Sequence, residues 1–64
     1  MPERILLRAH FTDLLSKAQK AVAEYDRLAQ STADSKHRQV LSTLAKDQQR
    51  QVELSERLLE IVDA

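Results

Sequence analysis

The chain has 64 residues, of which ten are Lys or Arg and ten are Asp or Glu, so its formal net charge is zero. A chain this short forms one domain at most and buries too little apolar surface to be comfortably stable alone, so we expect it to associate. It contains no Cys, which excludes disulfide bridges and thiolate metal sites, and we expect a cytoplasmic protein without a cofactor.

The pattern of charge and hydropathy predicts neither a targeting segment nor a membrane span, and it argues against binding to nucleic acid. The apolar run at Ile5, Leu6 and Leu7 is too short for the hydrophobic region of a signal peptide, and no small-residue cleavage site follows it. No window approaches the roughly 20 apolar residues of a membrane-spanning helix. Because basic and acidic residues alternate along the whole chain, the composition also argues against nucleic acid as a partner.

Helix 1 is predicted over about residues 2–30. The chain has no Gly and one Pro, and Ala, Leu, Gln, Glu, Lys and Arg dominate, which indicates an all-α protein. Pro2 suits the first turn of a helix, and Glu3 favours the positive end of the helix dipole. An apolar seam follows at alternating steps of four and three residues: Leu7, Phe11, Leu14, Ala18, Ala21, Tyr25 and Leu28. Three more residues widen it on one side: Leu15, Val22 and Ala29.

The only cluster of small polar residues, 30–35, predicts a turn at about 31–34. The side chains of Thr32, Asp34 and Ser35 can each cap the helix that follows. Because there is no Gly to end helix 1 in the left-handed conformation, we expect another device at its C-terminus. Two long helices joined by a short turn form an antiparallel hairpin, and the 64 residues make one such domain.

Helix 2 is predicted over about residues 35–63 and is apolar on a similarly wide stripe. Its heptad positions are Leu41, Ala45, Gln48, Val52, Ser55, Leu59 and Val62. Leu44 and Leu58 lie alongside these positions, and a further flank carries Val40, Leu54 and Ile61. Stripes of this width are typical of helices with more than one neighbour.

A lone hairpin leaves half of each stripe in water, and its burial barely offsets the entropy of ordering the chain. The most economical arrangement is a symmetric homodimer that forms a four-helix bundle. A higher oligomer, or another protein that takes up the hairpin, remains an alternative. The docking orientation of the two hairpins stays open at this point.

The seam of helix 2 is interrupted by three polar residues, Gln48, Gln51 and Ser55. Folding the chain about residue 33 places position i roughly opposite position 66 minus i, so Gln48 faces Ala18 across the hairpin. A buried polar layer of this kind fixes register and oligomeric state in coiled coils. A polar pocket for a small ligand or partner is the alternative interpretation.

Asp34 and His37 are candidates for metal ligands, because their spacing of three residues places them on one side of a helix. An Asp at a helix start is more often a cap, and a His in the next turn is more often solvated. No group of residues has a catalytic pattern. We therefore predict a protein that is not an enzyme.

A resemblance to a known family runs along helix 2: Asp34, Arg38, Leu41, Leu44, Ala45, Asp47, Gln48 and Gln51. This string resembles the second helix of a ferritin-like pair of the rubrerythrin kind, in which Leu-Ala-x-Asp leads into Glu-x-x-His. The segment 18–29 resembles the preceding helix, and the likeness covers roughly residues 15–62.

The family binds two irons through carboxylates and imidazoles. In this chain Gln48 and Gln51 stand at the Glu and His positions, and Ala18 stands at the position of the first-helix Glu. The resemblance therefore implies a halved relative without the metal ligands, and convergence on bundle patterning is the alternative.

Two other functions fit a small helical hairpin. One is a ferritin-like metal protein whose site is assembled between subunits. The other is an RNA-binding hairpin dimer of the Rop type, which requires a basic face on paired copies of helix 1. The basic residues of helix 1 alternate with Asp13 and Glu24, which argues against such a face: Arg4, Arg8, Lys17 and Lys20.

Overall fold

The structure is a computed structural model, and it describes residues 2–64 of the chain. It consists of two α-helices of 29 residues each, α1 (Glu3–Ser31) and α2 (Ser35–Asp63). The predicted all-α helical hairpin is confirmed, and the described residues include no strand. The two helices pack against each other in a body whose Cα atoms extend over 52 × 13 × 10 Å. Neither helix has a stretch long and apolar enough to cross a membrane.

Two hydroxyl groups cap the C-terminus of helix α1. The Oγ of Ser31 and the Oγ1 of Thr32 both donate hydrogen bonds to the carbonyl oxygen of Leu28, over 3.1 and 2.8 Å. Thr32 then takes an extended conformation, with φ −94° and ψ 126°, and leads the chain out of the helix. No residue of the described chain has a positive φ, so the helix ends without the left-handed residue that a Gly would supply.

Helix α2 begins at a side-chain cap made by Asp34. Its Oδ1 accepts hydrogen bonds from the backbone N–H groups of Lys36 and His37, over 2.8 and 3.1 Å. These two donors belong to the first turn, where no intrahelical acceptor exists for them. The carboxylate also places a negative charge at the positive end of the α2 dipole.

The opposite end of the hairpin is held by Arg4. Its guanidinium donates hydrogen bonds to the backbone oxygens of Val62, over 2.7 Å from Nε, and of Ala64, over 3.0 Å. Arg8, one turn later, forms an ion pair with Asp63. Carbonyl groups at a helix C-terminus lack intrahelical donors and carry a partial negative charge. A guanidinium therefore stabilises this end both by donating hydrogen bonds and by its positive charge. The two Arg residues thus tie the start of α1 to the end of α2.

The contact between the helices is made by small side chains. Five of the described residues are buried: Ala18, Ala29, Ala45, Val52 and Ser55. None of the larger side chains in the described range is fully buried. Small residues let two helix axes approach closely, but each removes little apolar surface from water. The core inside one hairpin is therefore thin.

Replacing Asp34 by Ala should lower the free energy of unfolding by about 1 kcal/mol, because two N–H groups of the first α2 turn lose their acceptor. Urea unfolding followed by circular dichroism at a fixed protein concentration measures the change. Asp34→Asn is the matched control, since Asn caps helices about as well as Asp. Equal losses in the two variants would contradict a capping role.

Candidate functional site

Large apolar side chains remain in contact with solvent along much of the hairpin. Eight of them are between 37% and 69% exposed: Ile5, Leu6, Leu7, Leu14, Val40, Leu44, Leu54 and Ile61. The buried positions are occupied by Ala, Val and Ser instead. This distribution is the reverse of a normal interior, where Leu and Ile are among the residues most often buried.

The predicted seam is divided between the inside and the outside of the hairpin. Eight of its residues are half-buried: Phe11, Ala21, Tyr25, Leu28, Leu41, Leu58, Leu59 and Val62. Ala18, Ala45 and Val52 are buried. Leu7, Leu14 and Leu44 are exposed, whereas Leu15 and Val22, on the edge that widens the α1 seam, are half-buried. The hairpin contact therefore uses one edge of each wide stripe and leaves the other edge uncovered.

The uncovered edges lie on one side of the hairpin, which we call the open face. A shallow groove of about 190 Å³ marks its centre, lined by Leu14, Lys17, Ala18, Gln48, Gln51 and Ser55. Leu7 is seven residues before Leu14 and Leu44 is seven before Gln51, so helical geometry places both on this side. Val40 and Leu44 line a second recess together. The open face is thus apolar towards both ends and polar at its middle.

The other side of the hairpin, which we call the polar face, has a different lining. Its groove is formed by Val22, Asp26, Ser42, Ala45, Lys46 and Gln49. The ion pair between Arg8 and Asp63 belongs to the same side by helical spacing, since Arg8 precedes Val22 by fourteen residues. Apart from the exposed Ile5, which lines a recess with Arg8 and Asp63, this side is polar and is stable in water without a partner.

The residues of the predicted polar layer converge on the central groove of the open face. Ser55 is 5% exposed and Ala18 is 6% exposed, whereas Gln48 is half-buried and Gln51 is exposed. No buried side-chain nitrogen or oxygen of the described residues lacks a hydrogen-bond partner. Because Ala18 is small, the groove has room beside the two amides, and their donors and acceptors can reach a molecule docked on this face.

Asp34 and His37 are not brought together with further ligating groups. The Asp34 carboxylate accepts the two capping hydrogen bonds, and His37 is exposed on the first turn of α2. Across residues 2–64 there is no group of three or more His, Asp or Glu side chains placed to hold a metal ion.

Comparison with protein-family models, with curated proteins and with solved structures found no match to this chain. The ferritin-like resemblance therefore remains a prediction that rests on the residues of 15–62 alone. The geometry of the open face is the basis for any functional proposal.

The sequence pattern suggests Arg4 and Arg8 only as members of a possible basic face, whereas the structure places both against the C-terminal end of α2. The sequence does contain a signal for this role. The folding rule that sets Ala18 opposite Gln48 also sets Arg4 roughly opposite position 62, at the end of a helix whose last carbonyl groups need donors.

Replacing Gln48 by Leu should raise the free energy of unfolding by about 1 kcal/mol, because a half-buried amide is exchanged for an apolar side chain. The same variant should show a broader distribution of oligomeric mass, since the polar layer no longer specifies one register. Thermal unfolding and native mass spectrometry measure the two effects. In the control Gln49→Leu, on the polar face, stability should change by less than about 0.5 kcal/mol. A large loss of stability in Gln48→Leu would contradict the layer as a specificity device.

Proposed function

We propose that the protein is a non-enzymatic oligomerisation or protein-interaction module of the cytoplasm, in which a second copy covers the open face to form a homodimeric four-helix bundle of antiparallel neighbours. One observation carries the proposal. Among the described residues, the hairpin fully buries only Ala, Val and Ser side chains, and large apolar side chains on the open face stay exposed: Leu7, Leu14, Val40 and Leu44.

The energetic argument follows from the sizes of the buried and exposed side chains. Covering one Leu or Ile stabilises a protein by about 1.5–3 kcal/mol relative to leaving it in water. The three buried Ala residues supply much less than this, and Val52 is the largest apolar residue in the buried set. Most of the apolar surface that could still be buried therefore lies on the open face, and a partner is needed to cover it.

The accessible area supports the same conclusion. The hairpin exposes 5054 Å², whereas a folded monomer of 7.3 kDa is expected to expose about 4,200 Å². The excess of about 900 Å² per chain is close to the roughly 800 Å² that each partner buries in a standard interface. One partner of similar size is thus enough to bring the exposed area to a normal value.

Antiparallel packing within the hairpin is supported at the middle of the helices and at their ends. Arg4 reaches the carbonyl oxygen of Val62, and Ala18 lines the same groove as Gln48 and Ser55. Both relations agree with a fold about residue 33 in which α2 returns alongside α1. An antiparallel pair with one broad apolar side is half of a four-helix bundle.

A second copy is the partner that fits this surface best. Closed two-fold dimers are the commonest soluble oligomers, because one apolar patch then covers itself. The formal net charge of zero removes any net repulsion between two copies. The amides of the half-buried Gln48 and the exposed Gln51 can also bond to an amide of the second copy, since a carboxamide is both donor and acceptor.

Replacing Leu14 by Lys should weaken dimerisation at least tenfold, because the substitution places a charge in the apolar part of the open face. Gln49→Lys adds the same charge on the polar face and should leave the dimer intact. Sedimentation velocity over a dilution series measures both dissociation constants. If the two variants dissociate equally, or if the unaltered chain sediments as a monomer at the highest concentration, the open face is not a dimer interface.

A further inference from the structure

Two charged residues, Lys17 and Asp47, lie at mid-height of the hairpin, at the outer edges of the open face. Lys17 lines the central groove together with Gln48, the residue that follows Asp47, so the two charges are at the same height along the hairpin. Asp47 is also seven residues from Val40 and from Leu54, which places it on the outward edge of α2 beside those apolar residues.

Each of these charges has a partner only within its own helix. Lys17 pairs with Asp13 over 2.9 Å, and Asp47 pairs with Arg50 over 3.3 Å. The side chains of Lys17 and Asp47 are 72% and 51% exposed, respectively. Exposed pairs of this type contribute between about zero and 1 kcal/mol, so either charge can exchange its partner at little cost when a second molecule docks.

Two symmetric arrangements would stack two hairpins through their open faces. If the two-fold axis runs along the hairpin, both turns lie at the same end and each α1 packs on the α2 of the second copy. If the axis runs across the hairpin, the turns lie at opposite ends, and each helix packs on its own copy. Both give antiparallel neighbours, so the helix dipoles do not distinguish them.

The central charges do distinguish the two arrangements. With the turns at opposite ends, the axis passes near mid-height, so Lys17 meets Lys17 of the second copy, and the two Asp47 residues approach within about one helical turn. Like charges placed opposite each other are destabilising, and sliding the hairpins apart to relieve them uncovers apolar surface at both ends. With the turns at the same end, Lys17 meets Asp47 on both sides of the axis.

The size of the neighbouring residues agrees with the same-end arrangement. Ala21 of α1 lies at about the height of Leu44 on α2, because the fold relates position i to roughly 66 minus i. When α1 packs on the α2 of a second copy at equal height, the small Ala21 meets the large, exposed Leu44. An axis along the hairpin also fixes the height of every residue, so this register cannot slip.

We infer, on the basis of the homodimer proposed above, that the second copy docks with its turn at the same end of the bundle, each α1 against the partner's α2, and that Lys17 of each chain forms an intersubunit ion pair with Asp47 of the other. The pair selects the orientation, while the apolar residues supply the affinity.

Disulfide cross-linking tests this orientation cleanly, because the chain has no Cys of its own. Lys17→Cys and Asp47→Cys are made as separate proteins, one of them carrying a mass tag, and are oxidised alone and as a mixture. In the mixture, the expected product is the mixed dimer of the two variants. Each variant alone should cross-link at least tenfold more slowly, since equivalent positions lie on opposite sides of the axis.

A second measurement uses a spin label at Ala33→Cys, on the exposed turn. The same-end arrangement places the two labels close together, at about the 10 Å spacing of packed helices plus the reach of the labels. Turns at opposite ends separate them by nearly the 52 Å length of the hairpin.

The outcomes separate failure of the orientation from failure of the dimer. Rapid cross-linking of Lys17→Cys with itself, together with a label distance near the hairpin length, would overturn the orientation while leaving the homodimer in place. If the sample shows no cross-linking and no dipolar signal, and sediments with the mass of one chain, the homodimer itself is overturned.

Discussion

The close contact between α1 and α2 is the constraint on which the rest of the structure depends. It is lined by Ala18, Ala29, Ala45 and Ser55, whose small side chains allow the helices to approach and leave no space for larger ones. Several Leu side chains are therefore only half-buried at the edge of this contact, while Leu7, Leu14 and Leu44 stay exposed on the open face. The open face results because the contact between the helices is narrower than the apolar stripe on each helix.

Because the contact between the helices buries little apolar surface, polar interactions at the two ends of the hairpin add to its stability. Asp34 caps α2 at the turn, and Arg4 satisfies the final α2 carbonyl groups at the other end. Each is worth about 1 kcal/mol in typical helices, which is comparable to burying a methylene group. Arg4 and Arg8 join the start of α1 to the end of α2 and so favour one relative height of the two helices, whereas the Asp34 cap is local to the turn.

Much of this architecture could be predicted from the sequence, because it depends on local signals. The polar cluster at 30–35 predicts the turn, and the period of the apolar residues predicts two helices. The residue that caps α2 could be narrowed to three, and the structure selects Asp34. The rule that opposes position i to roughly 66 minus i also accounts for the groove that Ala18 and Gln48 share.

The division of the apolar stripe could not be predicted in the same way. Leu14 and Leu15 are adjacent, equally apolar and compatible with the same period, yet Leu15 is half-buried in the hairpin contact while Leu14 is exposed. Periodicity describes how wide a stripe is, but the packing of α2 decides which edge is covered. The same holds at the polar layer, where Ser55 is buried and Gln51 faces outwards. The function could be predicted least well, since it depends on which molecule binds to the exposed edge of the stripe.

The central claim is that the folded chain needs a second copy to cover its open face. Thermal unfolding of the unaltered protein over about a hundred-fold range of concentration tests it most directly, because only an associating protein has a concentration-dependent midpoint. The account predicts a single cooperative transition whose Tm rises by several degrees across the range. A Tm that stays constant while the chain unfolds cooperatively would contradict it.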